Sequence, residues 1–306
     1  MGTSRRILPV PQMGGADGAG SVTVAPLLGL HHVTALCGDA RSNIEFYTRT
    51  LGMRLVKRTV NYDDPGTYHF YFGDGDGRLG SLLTFFPWGR VVKPRKGSGQ
   101  IVGVAFAVSP TAVKADGIRF EQPVQTILDP EGMAVEMIGV AGAAAMKAER
   151  LHSVTLLAAD LAAVETLLGE TLGLVRAGVE GNRVRYAVGR DQFLDILHDG
   201  SAEPGVMGAG IIHHVALRVA DEAEQMAWRE RLVQAGLRVS PVKDRSYFHS
   251  VYFRKPGAPL FEIATEGPGL TLDESLDSLG QRLCLPKWLE PHRGEIEAQL
   301  PALEIA

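Results

Sequence analysis

The feature that most restricts how this chain can fold is an internal repeat. Leu30-His31-His32-Val33-Thr34 returns as Leu151-His152-Ser153-Val154-Thr155, and Thr50-Leu51-Gly52-Met53 returns as Thr171-Leu172-Gly173-Leu174. Both matches share one offset of 121 positions, from 33 to 154 and from 50 to 171. A constant offset across an intervening segment marks a duplicated unit, which recurrence of either word alone would not. A further copy starts at Ile212-His213-His214-Val215-Ala216, and a shorter one at Ile101-Val102-Gly103-Val104-Ala105.

Each copy opens on a strand-length run of β-branched and apolar residues. In the first, Asp39 is placed to cap a helix whose apolar positions Ile44, Phe46, Tyr47 and Leu51 lie mostly along one face, and Gly52 ends it. Asp160, the stripe Leu161, Val164, Leu167, Leu168 and Leu172, and Gly173 repeat that pattern; Asp221 to Ala235 before Gly236 repeats it again. Three strands follow each helix. The predicted unit is therefore βαβββ, used four times in an α+β chain. Too few residues separate Ser109 from Val124 for a full helix, so the second unit is shortened. The predicted organisation is a flexible tail over residues 1–26, one pair of modules over 27–145, a second pair over 146–268, and a C-terminal extension over 269–306. The Gly- and Pro-rich tail lacks the compact apolar segment of a secretory signal; a poor transit peptide is its other reading.

Composition narrows the chemistry. A net charge of -4, with no long Lys/Arg run, disfavours nucleic acid or anionic lipid as the main partner. No stretch approaches the ~18 consecutive apolar residues of a membrane span. Two cysteines, Cys37 and Cys284, cannot build a disulfide framework or a thiolate zinc cluster, so the expected setting is reducing and cytoplasmic and any metal is held by His and carboxylate. Gly73-Asp74-Gly75-Asp76-Gly77 has the composition of a calcium loop but lacks its spaced ligands and closing Glu, and reads as a hairpin loop.

The four copies supply four comparable pairs of positions, one on the first strand and one on the last. They are His32 with Thr84, Gly103 with Glu136, Ser153 with Asp195, and His214 with Glu262. Only the outer copies combine to give two imidazoles and a carboxylate. A two-His, one-carboxylate set leaves open positions on a metal, the arrangement of non-haem Fe(II) oxygenases. Glu136 and Asp195 lack matching imidazoles and are assigned to structure or solvent. Neighbouring strand side chains point to opposite faces, so one His of each His-His pair is expected to face the metal, and the repeat alignment selects His32 and His214. Tyr252 is placed to hydrogen-bond a substrate oxygen or to be core; Arg245 is placed to stabilise negative charge or to form a surface ion pair. His69 and His249 read as hydrogen-bonded, partly buried side chains, and Thr34 as a residue on the His32 face that could touch a substrate.

These residues resemble the vicinal oxygen chelate superfamily of glyoxalases, bleomycin-resistance proteins and extradiol dioxygenases. More narrowly, Gly29-Leu30-His31-His32-Val33-Thr34, the run Val56 to Asp63, Tyr68-His69-Phe70-Tyr71-Phe72, Gly210 to His214, Leu260-Phe261-Glu262 and the tail Leu285-Pro286-Lys287-Trp288-Leu289-Glu290-Pro291-His292-Arg293 look like hydroquinone-type ring-cleaving dioxygenases. The resemblance runs from about Leu30 to the C-terminus. It implies two glyoxalase-like domains, Fe(II) held by His32, His214 and Glu262 with Mn(II) the alternative ion, and Tyr252 and Arg245 beside the substrate together with His31 and His213. It implies O2-dependent cleavage of a small aromatic diol next to a hydroxyl-bearing carbon, and leaves homo-oligomerisation open. Two rivals remain at this stage. A Ni(II) or Zn(II) glyoxalase-like isomerase wants a fourth ligand where Thr84 stands, and a metal-free bleomycin-resistance-type binding protein leaves the three residues without a common purpose.

Overall fold

The computed structural model describes residues 23–89 and 93–303, so most of the expected 1–26 tail lies outside the described residues. The first module runs β1 (Gly29–Cys37), α1 (Ala40–Glu45), β2 (Arg54–Asn61), β3 (Asp64–Gly73) and β4 (Leu82–Pro87). The second has β5 (Gln100–Val108), β6 (Gly117–Arg119), β7 (Gln122–Leu128) and β8 (Ala134–Gly139), with only a 3-10 turn, Pro110–Ala112, in place of a helix. The third is β9 (Leu151–Ala158), α2 (Leu161–Glu165), β10 (Val175–Glu180), β11 (Arg183–Ala187) and β12 (Phe193–His198). The fourth is β13 (Ile212–Val219), α3 (Glu222–Gln234), β14 (Lys243–Asp244), β15 (His249–Phe253) and β16 (Leu260–Thr265). Four βαβββ modules, the second shortened, make a mixed α+β chain.

The helix starts follow from local chemistry. Asp39, Asp160 and Asp221 each accept a hydrogen bond from the backbone N–H three residues on, at Ser42, Ala163 and Glu224. Gly52 and Gly173 end the first two helices at φ +68, a conformation that a Cβ disfavours. Both helices widen into π-winding at the same place, Phe46–Thr50 and Thr166–Thr171, so the duplication extends to an irregularity.

Within every module the first strand pairs in parallel with the last: β1 with β4, β5 with β8, β9 with β12, β13 with β16. Between modules, β1 pairs antiparallel with β13 and β5 with β9, while a single pair, Ile101 with Ile212, joins β5 to β13. Backbone pairing thus couples the first module to the fourth and the second to the third. The outer pair forms one row, β2-β3-β4-β1-β13-β16-β15-β14, within a 16-stranded sheet. Across that row Leu83, Val33, Val215 and Phe261 are in register, and all are fully buried. Each such side chain contributes about 1.5–3 kcal/mol by leaving water. The adjacent register row holds Leu82, His32, Ala216 and Glu262. The period of two that buries one row aims the next toward the site.

The extension after β16 folds back over the first module. Its helix α4 (Arg293–Gln299) brings Ile296, with Leu285 and Leu300, against Val60 of β2.

Candidate metal centre

His32 on β1, His214 on β13 and Glu262 on β16 converge from three adjacent strands, all buried. The His32 and His214 Nε2 atoms are 3.3 Å apart and lie 3.5 and 3.0 Å from Glu262 Oε2. The other carboxylate oxygen, Oε1, accepts a short hydrogen bond from Ser250 Oγ. Oε2 is sealed from solvent and receives no well-oriented hydrogen bond. Burial by itself would raise the Glu262 carboxyl; when protonated, the His32 and His214 imidazoles outweigh it and hold the group well below the usual range, a part that a bound cation would take over from neutral rings.

The flanking histidines settle which nitrogens face one another. His31 Nε2 lies 3.1 Å from the Thr265 carbonyl, which can only accept, so that nitrogen carries a proton. Burial, then the neighbouring His32, lowers His31 to about 3, so its ring is neutral and its Nδ1 is an acceptor. His32 Nδ1, 2.8 Å away, therefore donates, and His32 Nε2 presents a lone pair to the cluster. His213 Nδ1 lies 2.8 Å from His214 Nδ1, and burial and then His214 lower His213 to about 3; with the proton of that contact on His214 Nδ1, His214 Nε2 also presents a lone pair. In those tautomers two imidazole lone pairs and a buried carboxylate oxygen face one another and repel unless a cation lies among them. The donor set fits a divalent metal with nitrogen and oxygen ligands, and His31 and His213 are the hydrogen-bonded supports such ligands require.

The expectation of alternating faces within the His-His pairs is corrected here. In the β1–β13 ladder Leu30 pairs with Leu217 and His32 with Ala216, which leaves His31 as an extra residue; Thr34 pairs with His214 and Ala35 with Ile212, which leaves His213 as another. Each is a β-bulge, which breaks alternation and lets neighbouring imidazoles meet. His152 is the extra residue at the matching place between β5 and β9.

A cavity of about 420 Å³ opens on the cluster. Phe86, Trp88 and Phe248 line it with His32, His214, His69, His213, Tyr252 and Arg245. Arg245 Nε donates to Tyr252 Oη at 3.1 Å, and its Nη2 donates to Asp63 Oδ2 at 2.8 Å. Burial, then the Glu262 charge, raises the Tyr252 hydroxyl against the opposing pull of Arg245, so it stays protonated. His31 is wholly buried behind His32 and does not line the cavity. Thr34 is not exposed to it either: its hydroxyl lies 2.8 Å from that of Thr84. His249 turns outward, 2.8 Å from Glu222. Sequence reasoning missed the three aromatic walls and the role of Asp63; the Val56 to Asp63 run was the available signal, without a partner to interpret it.

The inner modules hold a cationic counterpart of this centre. Asp195 accepts two hydrogen bonds from Arg185, at 2.7 and 2.8 Å, and Glu136 is held by Arg119. Thr84, the register counterpart of Glu262 in the first module, bonds to Thr34 and to His69 rather than reaching the cluster. The cluster therefore offers three candidate ligands, His32, His214 and Glu262.

Comparison with known proteins agrees with this architecture. A profile of the Glyoxalase/Bleomycin resistance protein/Dioxygenase superfamily matches residues 29–137. The chain is 38% identical to a Bacillus subtilis (strain 168) protein bearing the name ring-cleaving dioxygenase MhqO, over 91% of this chain and 97% of the relative. It is 31% identical to the chlorohydroquinone/hydroquinone 1,2-dioxygenase of Sphingobium indicum, over 88% of this chain and 94% of the relative. A crystal structure of a Bacillus subtilis protein titled a dioxygenase superposes with a TM-score of 0.85 at 35% identity, covering 92% of this chain and 99% of that one. Maize glyoxalase I shares the fold, at TM-score 0.59 and 15% identity, over 78% of this chain and 92% of that one. The chain belongs to the glyoxalase/dioxygenase superfamily, within its branch of two-domain ring-cleaving dioxygenases. No helix among the described residues is long and apolar enough to cross a membrane.

Proposed function

We propose that this protein is an Fe(II)-dependent dioxygenase that opens the ring of a substituted hydroquinone with O2, of the extradiol type. One observation carries the reading: Glu262 Oε2, buried and unpaired, faces two imidazole nitrogens at the floor of an aromatic-walled cavity. His32, His214 and Glu262 would hold the ion. With one carboxylate and two neutral imidazoles, a divalent site keeps net positive charge and favours a deprotonated phenol oxygen. Bound there, Fe(II) supplies the one-electron chemistry through which a spin-paired ring and O2 react.

The chain's own residues do the rest. Phe86, Trp88 and Phe248 hold the ring and exclude water. Arg245 donates to Tyr252 Oη, which leaves the Tyr252 O–H proton free to meet a substrate oxygen beside His214; the Tyr252 and His214 rings are 5.8 Å apart. Asp63, on the turn after β2, fixes Arg245, so the first and fourth modules jointly set that donor. The engagement of Thr84 elsewhere weighs against a four-ligand isomerase. The buried, unpaired cysteines are in keeping with a cytoplasmic setting.

Anaerobic reconstitution with Fe(II), followed by oxygen-electrode traces with hydroquinone, chlorinated and methylated hydroquinones and catechol, tests the reading. O2 uptake with a substituted hydroquinone is expected. Turnover of methylglyoxal and glutathione under nitrogen, without O2 uptake on any diol, would select the isomerase instead.

A further inference from the structure

His69 lines the cavity and has no part in holding the metal ligands. The outer modules are related by a pseudo-twofold that equates β3 with β15: Tyr71 faces Thr84 in register as Tyr252 faces Glu262. Two residues earlier on each strand stand His69 and Ser250. Ser250 is wholly buried, and its hydroxyl serves Glu262. His69 makes the equivalent contact, Nε2 to Thr84 Oγ1 at 2.9 Å, but Thr84 is not a ligand and needs no such support. A small hydroxyl in one half is thus matched by a larger ring in the other, and that ring reaches the cavity where Ser250 does not.

The imidazole is held rigidly. Its ring centroid lies 4.3 Å from Tyr71 and 4.2 Å from Phe86. Burial keeps it neutral, so one ring nitrogen donates and the other accepts. Nε2 is engaged by Thr84; Nδ1 has no hydrogen-bond partner among the described residues. Tyr252 is the donor proposed above for the oxygen beside His214, and Arg245 is already committed to Tyr252 and Asp63.

We infer that His69 is a specificity-determining residue: its Nδ1 hydrogen-bonds the substrate hydroxyl that does not bind the metal, selecting diols over simple phenols and ethers. The inference rests on the aromatic-diol reading above. The inference takes the tautomer in which Nε2–H donates to Thr84 Oγ1 and Nδ1 accepts: a diol hydroxyl then donates to Nδ1, and a methoxy oxygen, having no proton to give, does not.

Two substitutions separate this role from a structural one. Asn places a polar group near the position of imidazole Nδ1, whereas Gln places one near Nε2. Binding of hydroquinone and of 4-methoxyphenol to the metal-loaded protein, measured anaerobically by calorimetry, needs no turnover. The wild type is expected to prefer hydroquinone by about ten-fold, the worth of one good hydrogen bond. His69→Asn retains most of that preference, and His69→Gln and His69→Phe lose it, with metal content unchanged in all three. A wild type without the preference, or loss in His69→Asn with retention in His69→Gln, overturns the inference. Oxygen uptake by the wild type is read separately: its absence sinks the dioxygenase reading while the binding series still judges His69.

Discussion

Lys57 is a fully buried lysine, and replacing it by Met gives a test of how the C-terminal extension is fastened. Its Nζ lies 2.6 Å from both Asp273 Oδ1 and Glu274 Oε2, and 4.8 Å from the centre of the Tyr247 ring. The Asp273, Glu274 and Cys284 side chains form a second cluster of metal-ligating groups, but here the cation is the ammonium of Lys57. Met keeps the volume and removes the charge. Removing one partner of a buried ion pair costs about 3–5 kcal/mol. The lower end applies, because the Asp273 side chain is 26% exposed and rehydrates, and Glu274 keeps a hydrogen bond from Gly280 N at 3.2 Å. At about 2 °C per kcal/mol for a chain of this size, Tm should fall by roughly 6 °C. The effect is pH-dependent with a definite sign. Burial alone would raise the Glu274 carboxyl, but Lys57 holds it below its ordinary 4.5. A depressed carboxyl contributes stability that is present above 4.5 and lost as pH falls below it through the folded value. The wild-type advantage should therefore be full at pH 7 and shrink on acidification below 4.5. Urea unfolding at several pH values measures it, and Lys57→Met combined with Glu274→Gln should recover part of the loss. A loss under 1 kcal/mol at pH 7, or one that does not change with acidification, would refute the assignment.

Three further outcomes are expected. His31→Phe removes the acceptor that sets the His32 tautomer while keeping the packing on Phe248, so metal affinity should drop by about 10–100-fold in a chelator competition; unchanged affinity would deny the support role. Thr84→Glu places a longer carboxylate at the counterpart of Glu262, and should retain metal yet lose about ten-fold or more of O2 uptake as an open position fills. Arg185→Met removes the two-bond partner of the wholly buried Asp195, leaving it only Arg183 at 3.6 Å, and should cost about 3 kcal/mol in urea unfolding with metal content untouched; a loss under 1 kcal/mol would deny the pairing its structural role.

Much of the candidate site was legible because it is written in local pattern. The repeat words name equivalent positions, and only the outer copies combine two imidazoles with a carboxylate there, at His32, His214 and Glu262. The helix caps Asp39, Asp160 and Asp221 were equally readable, since a cap bonds a backbone N–H three residues away. The shortened second module followed from counting residues between Ser109 and Val124. Lys57 was not readable as buried, because its carboxylate partners lie more than two hundred positions away. A separation of 182 positions likewise hid Asp63 from Arg245.

The sequence by itself determined a fourfold α+β repeat and a three-residue candidate ligand set split between its outer copies, because duplication preserves both spacing and strand period. Only the tertiary structure decided what those residues face. Two β-bulges bring His31 and His213 onto their neighbours, and bulges depend on register with a partner strand nearly two hundred residues distant. The exchange of Ser250 for His69 across the pseudo-twofold acquires meaning only when the first and fourth modules pair, because a cavity wall is made of side chains brought together by strands far apart in the chain.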